Sequence, residues 1–350
     1  MEIKELAIKN FKGISALNFN PKKINIIVGR NNTSKTSVLE AINIIFNQNN
    51  ILYTFSYLQE IIKINSKSAE LSAKLENKKE SINNKELEKK VKEDILKIDL
   101  NKIKGVKIKR GEDEKIVYHS EKDEGISYLE LDNVKKFLNE KLGIKSNLRN
   151  ILGFIPIEFK YYRYKKEVNE GITFIKDPLK IIKEESKIKI ADIIQEVTKE
   201  HNLIPNLKRL EWKYILYNNN DSLSFDSMGD GLKAIINILY KIYEKKDSSI
   251  ILLDEPENHM HPGYIIEFVK ILIKLSKELN LQFFITTHDN DFIDSFLEKN
   301  YFSREDNEYI KKEILILQMG KINEKSYIKE LSYNDAKESK EKFFLDLREV

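Results

Sequence analysis

Apolar positions along the chain follow two periods. Over residues 3–20, Ile3, Leu6 and Ile8 are followed by a Lys12-Gly13 turn and then by Ile14, Leu17 and Phe19. This pattern predicts two antiparallel strands. Ile24, Ile26, Ile27 and Val28 form a β-branched run that predicts a buried strand. Val38, Leu39, Ile42, Ile45 and Phe46 then recur at helical spacing. Ala69, Leu71, Ala73 and Leu75 alternate as in a strand. Leu87, Val91 and Ile95 predict a charged helix over 84–96, and the charge run from Lys78 to Lys92 reads as its solvated face. The flanks of Arg110-Gly111-Glu112-Asp113 predict a hairpin, and 129–142 and 181–201 predict helices. Leu210, Trp212, Tyr214 and Leu216 alternate and predict one half-buried strand over 207–217. Leu232, Ile235, Ile236, Leu239 and Ile242 predict a helix. Ile250–Leu253 and Leu281–Thr287 have the continuous apolar character of strands covered on both faces, as in parallel sheets. A strand at 314–318, a short one near Tyr327, Ile328 and Leu331, and a polar helix ending Leu345-Asp346-Leu347-Arg348 complete the chain.

Strands interleaved with helices predict an α/β fold: a mixed sheet flanked by helices, with an antiparallel β subdomain and an inserted α/β lobe. The expected division is a first core segment at 1–50, an accessory lobe at 51–204 and a second core segment at 205–350. The 350 residues are ample for a large core. With no cysteine, disulfides and cysteine-ligated zinc are excluded. The net charge of +4 neither demands nor excludes nucleic acid, so any such role rests on local patches. One basic-aromatic stretch, Phe159 to Lys166, suits base stacking and equally suits a strand with one wet face. Lys4, Lys9 and Lys12 interrupt the early apolar residues, and no uncharged run approaches membrane length, so a cytoplasmic location without membrane contact is expected.

Four segments carry chemistry. Between the buried strand and the first helix lies Gly29-Arg30-Asn31-Asn32-Thr33-Ser34-Lys35-Thr36-Ser37. Backbone N–H groups at a helix start face an anion, a lysine reaches outer phosphates, and a hydroxyl binds Mg²⁺. Lys35 and Thr36 stand where that lysine and hydroxyl belong. The usual second glycine is replaced by Ser34, which is a cost wherever the backbone must take φ > 0. Ser227-Met228-Gly229-Asp230-Gly231 opens a helix and suits an anion in the same way. Asp254-Glu255 ends a buried strand, where one acid can meet a metal and the next can act as base toward water. His288 follows another buried strand and can reach a ligand at its carboxyl end. His259 and His261 lie two apart in a loop without a third ligand nearby, which argues against zinc.

The order of these segments resembles the ABC-type ATPase core, and more narrowly the soluble branch of SMC-like, RecF-like and OLD-type ATPases. Ile8-Lys9-Asn10-Phe11-Lys12-Gly13 and Asp254 to Pro262 carry the closest likeness. The resemblance implies a P-loop nucleotide-binding fold. It makes Gly29, Asn31, Asn32, Thr33, Ser34, Lys35, Thr36 and Ser37 the ATP-binding Walker A loop. Mg²⁺ would be held by Thr36 and Asp254, with Glu255 the general base and His288 the γ-phosphate sensor. Ser227, Gly229 and Gly231 would complete the site of the opposite subunit. Gln195 and Gln59 are candidates for the family's Q-loop glutamine. The implied function is ATP hydrolysis by a head-to-tail homodimer formed on ATP, in DNA-related work or anti-phage defence. About sixty residues follow His288, too few for the Toprim nuclease of OLD-type proteins, so a nuclease or other effector would be a separate chain. A reading from another class, motivated by Ser34, is an ATP-binding switch that regulates a partner and turns over little nucleotide.

Overall fold

The computed structural model describes residues 2–46, 68–76, 92–99, 158–161, 172–176, 184–211, 213–244, 249–322, 325–343 and 346–348. The expected hairpin at 106–118, the helix at 129–142, Gln59, His119 and Trp212 lie outside them.

Strands β1 (Glu2–Phe11) and β2 (Ile14–Phe19) pair antiparallel, as expected. β3 (Ile24–Val28) is buried at every residue and leads through the glycine loop to helix α1 (Lys35–Phe46). β4 (Ser68–Glu76), β5 (Lys92–Asp99) and β6 (Glu158–Tyr161) extend the antiparallel sheet in the order β2-β1-β4-β5-β6. The helical spacing of Val91 and Ile95 is misleading. Ile95 lies in β5, which bonds β4 on one side and β6 on the other, and those ladders override the local pattern.

β7 (Ile172–Ile175) leaves that sheet and lies parallel to β11 (Ile250–Asp254). Helix α2 (Glu184–Glu200) follows. The expected single strand over 207–217 is instead two, β8 (Leu207–Leu210) and β9 (Tyr214–Tyr217). They turn back on each other, and β10 (Ser222–Ser224) joins their sheet. An alternation of apolar residues persists across a tight turn, so periodicity alone does not show the reversal. Helices α3 (Asp230–Glu244), α4 (Pro262–Glu278), α5 (Asn290–Leu297), α6 (Arg304–Glu313) and α7 (Tyr333–Phe343) alternate with β11, β12 (Gln282–Thr286), β13 (Ile314–Ile322) and β14 (Lys325–Leu331).

Among the described residues the central sheet runs β14-β13-β3-β12-β11-β7, with every pair parallel except β13 and β14. It is covered on both faces, and the two-residue period of its strands divides the core. Ile26, Ile251, Leu253, Phe283 and Ile285 face the layer holding α2, α3, α4 and α5. Ile27, Ile250, Leu252 and Phe284 face α1 and the antiparallel sheet. Each such side chain, buried fully, contributes roughly 2 kcal/mol. This two-sided burial explains why these strands are continuous apolar runs. It also aligns the carboxyl ends of β3, β12 and β11 along one crevice, where ligands of open parallel sheets bind.

Candidate active site

The strand register builds the centre of the crevice. β3, β12 and β11 are consecutive in the sheet, and Thr286 sits opposite Ile27 on one side and Asp254 on the other. Asp254 Oδ1 accepts from Thr286 Oγ1 at 2.6 Å and from Thr36 Oγ1 at 3.0 Å. Thr36 is in the first turn of α1, so this carboxylate ties the glycine loop to the far strand. Burial raises the Asp254 pKa above the usual carboxylate value, against the two hydroxyl bonds that favour the ionised form.

Lys35 is 5% exposed and donates to the carbonyls of Gly29 at 2.9 Å and Arg30 at 3.3 Å. Burial lowers its pKa, while the charges of Glu255, Asp254 and Glu257 pull in the other direction. The ammonium therefore shares one electrostatic neighbourhood with all three acids.

The loop around it is tightly wound. Gly29 has φ 150°, and a Cβ there would meet the Met319 carbonyl oxygen at 2.3 Å, so only glycine fits. Asn32 and Ser34 also take left-handed backbone, at φ 65° and 74°. The serine that replaces the usual glycine thus carries strain of about 1–2 kcal/mol. Its side chain fits because Gly13, at the β1–β2 turn, has none. A Cβ on Gly13 would lie 2.2 Å from Ser34 Oγ. Thr33 Oγ1 donates to the Arg30 carbonyl at 2.8 Å and closes the turn.

Glu255 is another left-handed residue, at φ 46°. Its N–H donates to the Thr286 carbonyl at 3.1 Å. One carboxylate oxygen lies 3.1 Å from His288 Nδ1, and the other accepts from Asn258 Nδ2 at 3.3 Å. The His288 contact is a close approach of ring nitrogen and carboxylate rather than an aligned hydrogen bond. Backbone strain of this kind persists where the surroundings over-determine it, and here the carboxylate is held between His288 and Asn258.

Glu257 is a site residue the sequence did not reveal. It is buried, bonded to the Thr287 hydroxyl, and its second oxygen has no hydrogen-bond partner among the described residues. Burial pushes its pKa up to about 7. An acid inside a polar loop carries no periodic signal, so only the folded chain shows it. Thr286 was equally silent, although parallel pairing of the two strands would have placed it beside Asp254.

Ser227 and Gly229 stand apart from this cluster. Ser227 ends a short 3₁₀ turn, Phe225–Ser227, and is exposed. Among the described residues, no atom lies within 4 Å of the point a Gly229 Cβ would occupy. Gly231 is instead packed on the loop that follows β11, since a Cβ there would meet the His259 carbonyl oxygen at 2.8 Å. This loop exposes Asn258, His259 and His261. His261 is a helix cap, with its ring accepting from the Gly263 N–H at 3.2 Å at the start of α4. Gln195 is not at the crevice end: its side-chain oxygen accepts from the Leu210 N–H and joins α2 to β8.

The donors fit a nucleotide and a hard cation. A helix start with a lysine suits phosphate, and a hydroxyl beside a carboxylate is an all-oxygen set suited to Mg²⁺. Among the described residues no helix is long and apolar enough to cross a membrane.

Comparison with known proteins agrees with this geometry. An SMC head bound to the C-terminal winged-helix domain of ScpA superposes with a TM-score of 0.53 at 15% identity, covering 96% of this chain and 99% of that one. An SMC head with an extended coiled coil, bound to the C-terminal domain of ScpA derived from Pyrococcus furiosus, gives 0.53 at 13%, covering 98% and 100%. A curated but uncharacterised protein of Methanocaldococcus jannaschii is 28% identical over 170 residues. That match takes in 44% of this chain and 21% of the relative, so the chain spans about one fifth of the relative's length. The family described as "AAA domain, putative AbiEii toxin, Type IV TA system" matches residues 24–294. The chain belongs to this family of AAA-type ATPase domains, and it has the fold of an SMC-type head.

Proposed function

We propose that the chain binds ATP in the 29–37 loop and hydrolyses it as a head-to-tail homodimer. The observation that carries this reading is the Thr36–Asp254–Thr286 linkage with Glu255 and His288 paired beside it. It supports reading the 29–37 loop as anion-binding, Thr36 and Asp254 as an oxygen ligand pair and Glu255 as a base, since all lie at neighbouring strand ends. Lys35 supplies a cation to the outer phosphates, and the loop N–H groups hold the rest of the triphosphate. Thr36 and Asp254 would hold Mg²⁺, which would supply positive charge beside the phosphates when bound. Glu255 orients the attacking water and accepts its proton, and His288 faces the γ-phosphate beside it. The Ser227–Gly229 turn, exposed among the described residues, closes over the triphosphate of a second copy. Hydrolysis then removes the charge that bridges the two copies, which makes ATP the gate of a clamp.

DNA-related or defence work, with a separate effector chain, is supported by the family description and by the likeness to SMC heads. A switch that binds ATP with little turnover has one observation in its favour, the strained Ser34.

Phosphate release and mass in solution, with and without ATP, test the proposal. Wild type should release phosphate and dimerise transiently. Glu255→Gln should lose about 10²-fold or more in turnover and accumulate dimers. Equal phosphate release by both proteins, or monomers throughout, would overturn the enzyme reading.

A further inference from the structure

The segment Asp346-Leu347-Arg348 docks against the turn that carries His288. Leu347 is fully buried in the helical layer, and its carbonyl accepts from Gln318 Nε2 of β13 at 2.9 Å. That double anchor fixes the residues on either side. Asp346 grips the Arg348 guanidinium through both carboxylate oxygens and also accepts the Arg348 backbone N–H at 2.9 Å. These bonds hold the Asp346 pKa far below the usual carboxylate range. Asn290, at the start of α5, donates to Asp346 at 3.2 Å and accepts from Arg348 Nη2 at 2.9 Å in the amide orientation that satisfies both its ends. With its fork so held, Arg348 directs Nη1 onto the backbone carbonyl of His288 at 3.0 Å.

We propose that Arg348 is a positioning residue for His288, clamping the His288 peptide so that the imidazole stays against Glu255. The inference rests on the reading of His288 and Glu255 as the water-facing pair. The opposite flank of the turn is already pinned: Thr287 Oγ1 bonds Glu257 and accepts the Asp289 N–H at 3.0 Å. Arg348 supplies the second point, and two points fix the peptide plane from which the ring projects. A planar guanidinium held by a carboxylate has little freedom left, so it transmits the position of the buried Leu347 anchor to the histidine.

The test uses Arg348→Ala in the full chain, with two readouts. The first is the His288 ring Cε1–H resonance, identified by its loss in His288→Ala. The substitution should shift this resonance and leave that of His261 in place. The second is ATP turnover. kcat should fall about tenfold while KM stays within about twofold, because a displaced reacting group costs rate rather than binding. In a His288→Ala background the same substitution should cost nothing further. An unmoved His288 resonance, or an equal additional loss in that background, would overturn the proposal. If Arg348→Ala does not fold, Asp346→Asn loosens the same grip and is read in the same way. If wild type releases no phosphate, the ATPase reading fails while the resonance still decides the clamp.

Discussion

Two glycine-bearing turns open helices in this protein, and they are built in opposite ways. The 29–36 loop exposes Arg30, Asn31 and Asn32 at its tip, but its two ends are packed into its own chain. Gly29 presses on the Met319 carbonyl, Ser34 fills the space left by Gly13, and Lys35 is 5% exposed. The 227–231 turn is open at its tip, with Ser227 and Gly229 facing solvent and only Gly231 pressed on a neighbour. The enclosed loop is shaped in advance, strain included, so its ligand meets a finished cradle. The open turn is held from within the chain by backbone bonds such as Lys233 N–H to the Gly229 carbonyl, and its exposed residues are not packed into a cradle. The contrast separates a glycine that the fold requires from one that the described fold leaves free to change.

The largest expected effect breaks the enclosed side of this comparison. Gly29→Ala forces a Cβ against the Met319 carbonyl at a strained φ, and should cost about 4 kcal/mol in denaturant unfolding. Gly229→Ala should leave stability within about 0.5 kcal/mol while reducing ATP-dependent dimers in a mass measurement. Equal stability losses for the two would erase the distinction.

The next effect concerns the acid beneath the site. The folded-state pKa of Glu257 is raised to about 7 from 4.5, so the native state retains a proton that the unfolded chain releases. Stability from this group is therefore complete below pH 4.5, declines as pH rises toward 7 and stays reduced above it. The decline amounts to about 3 kcal/mol. Glu257→Gln cannot ionise and should remove that part of the pH dependence. Melting curves of both proteins from pH 5 to 8 check it, and parallel curves would show that Glu257 does not titrate in this window.

The smallest effect sharpens the account of Ser34. Gly13→Ala should cost about 2 kcal/mol through contact with the serine hydroxyl. In a Ser34→Gly background most of that cost should vanish, and Ser34→Gly alone should stabilise by about 1 kcal/mol. A double-mutant cycle in urea measures the coupling, and additivity would mean that the two residues do not meet.

Much of this was legible in the sequence, for a physical reason. Buried parallel strands need continuous apolar runs, and Ile24–Val28, Ile250–Leu253 and Leu281–Thr287 each end in the residues of the crevice. A run and its polar terminus together announce a strand and a candidate site, so Lys35, Thr36, Asp254, Glu255 and His288 stand out from the sequence alone. What escaped depends on three dimensions. Ile95 has helical spacing with Val91 but lies in a ladder between two other strands. The reversal between β8 and β9 hides inside an unbroken alternation. Glu257 is buried by residues distant in sequence, and Arg348 reaches His288 across 60 positions. The φ of Ser34 is set by the loop as a whole, so the serine alone announced only a question.

Gly13 has one further neighbour. Its carbonyl accepts from Ser326 Oγ of β14 at 2.7 Å, while its α-carbon borders Ser34. A single turn of the antiparallel sheet thus rests on the phosphate loop with one side and on the outer strand of the central sheet with the other. Any ligand that displaces the serine must move this turn, and the displacement is felt at once in two sheets that share no strand.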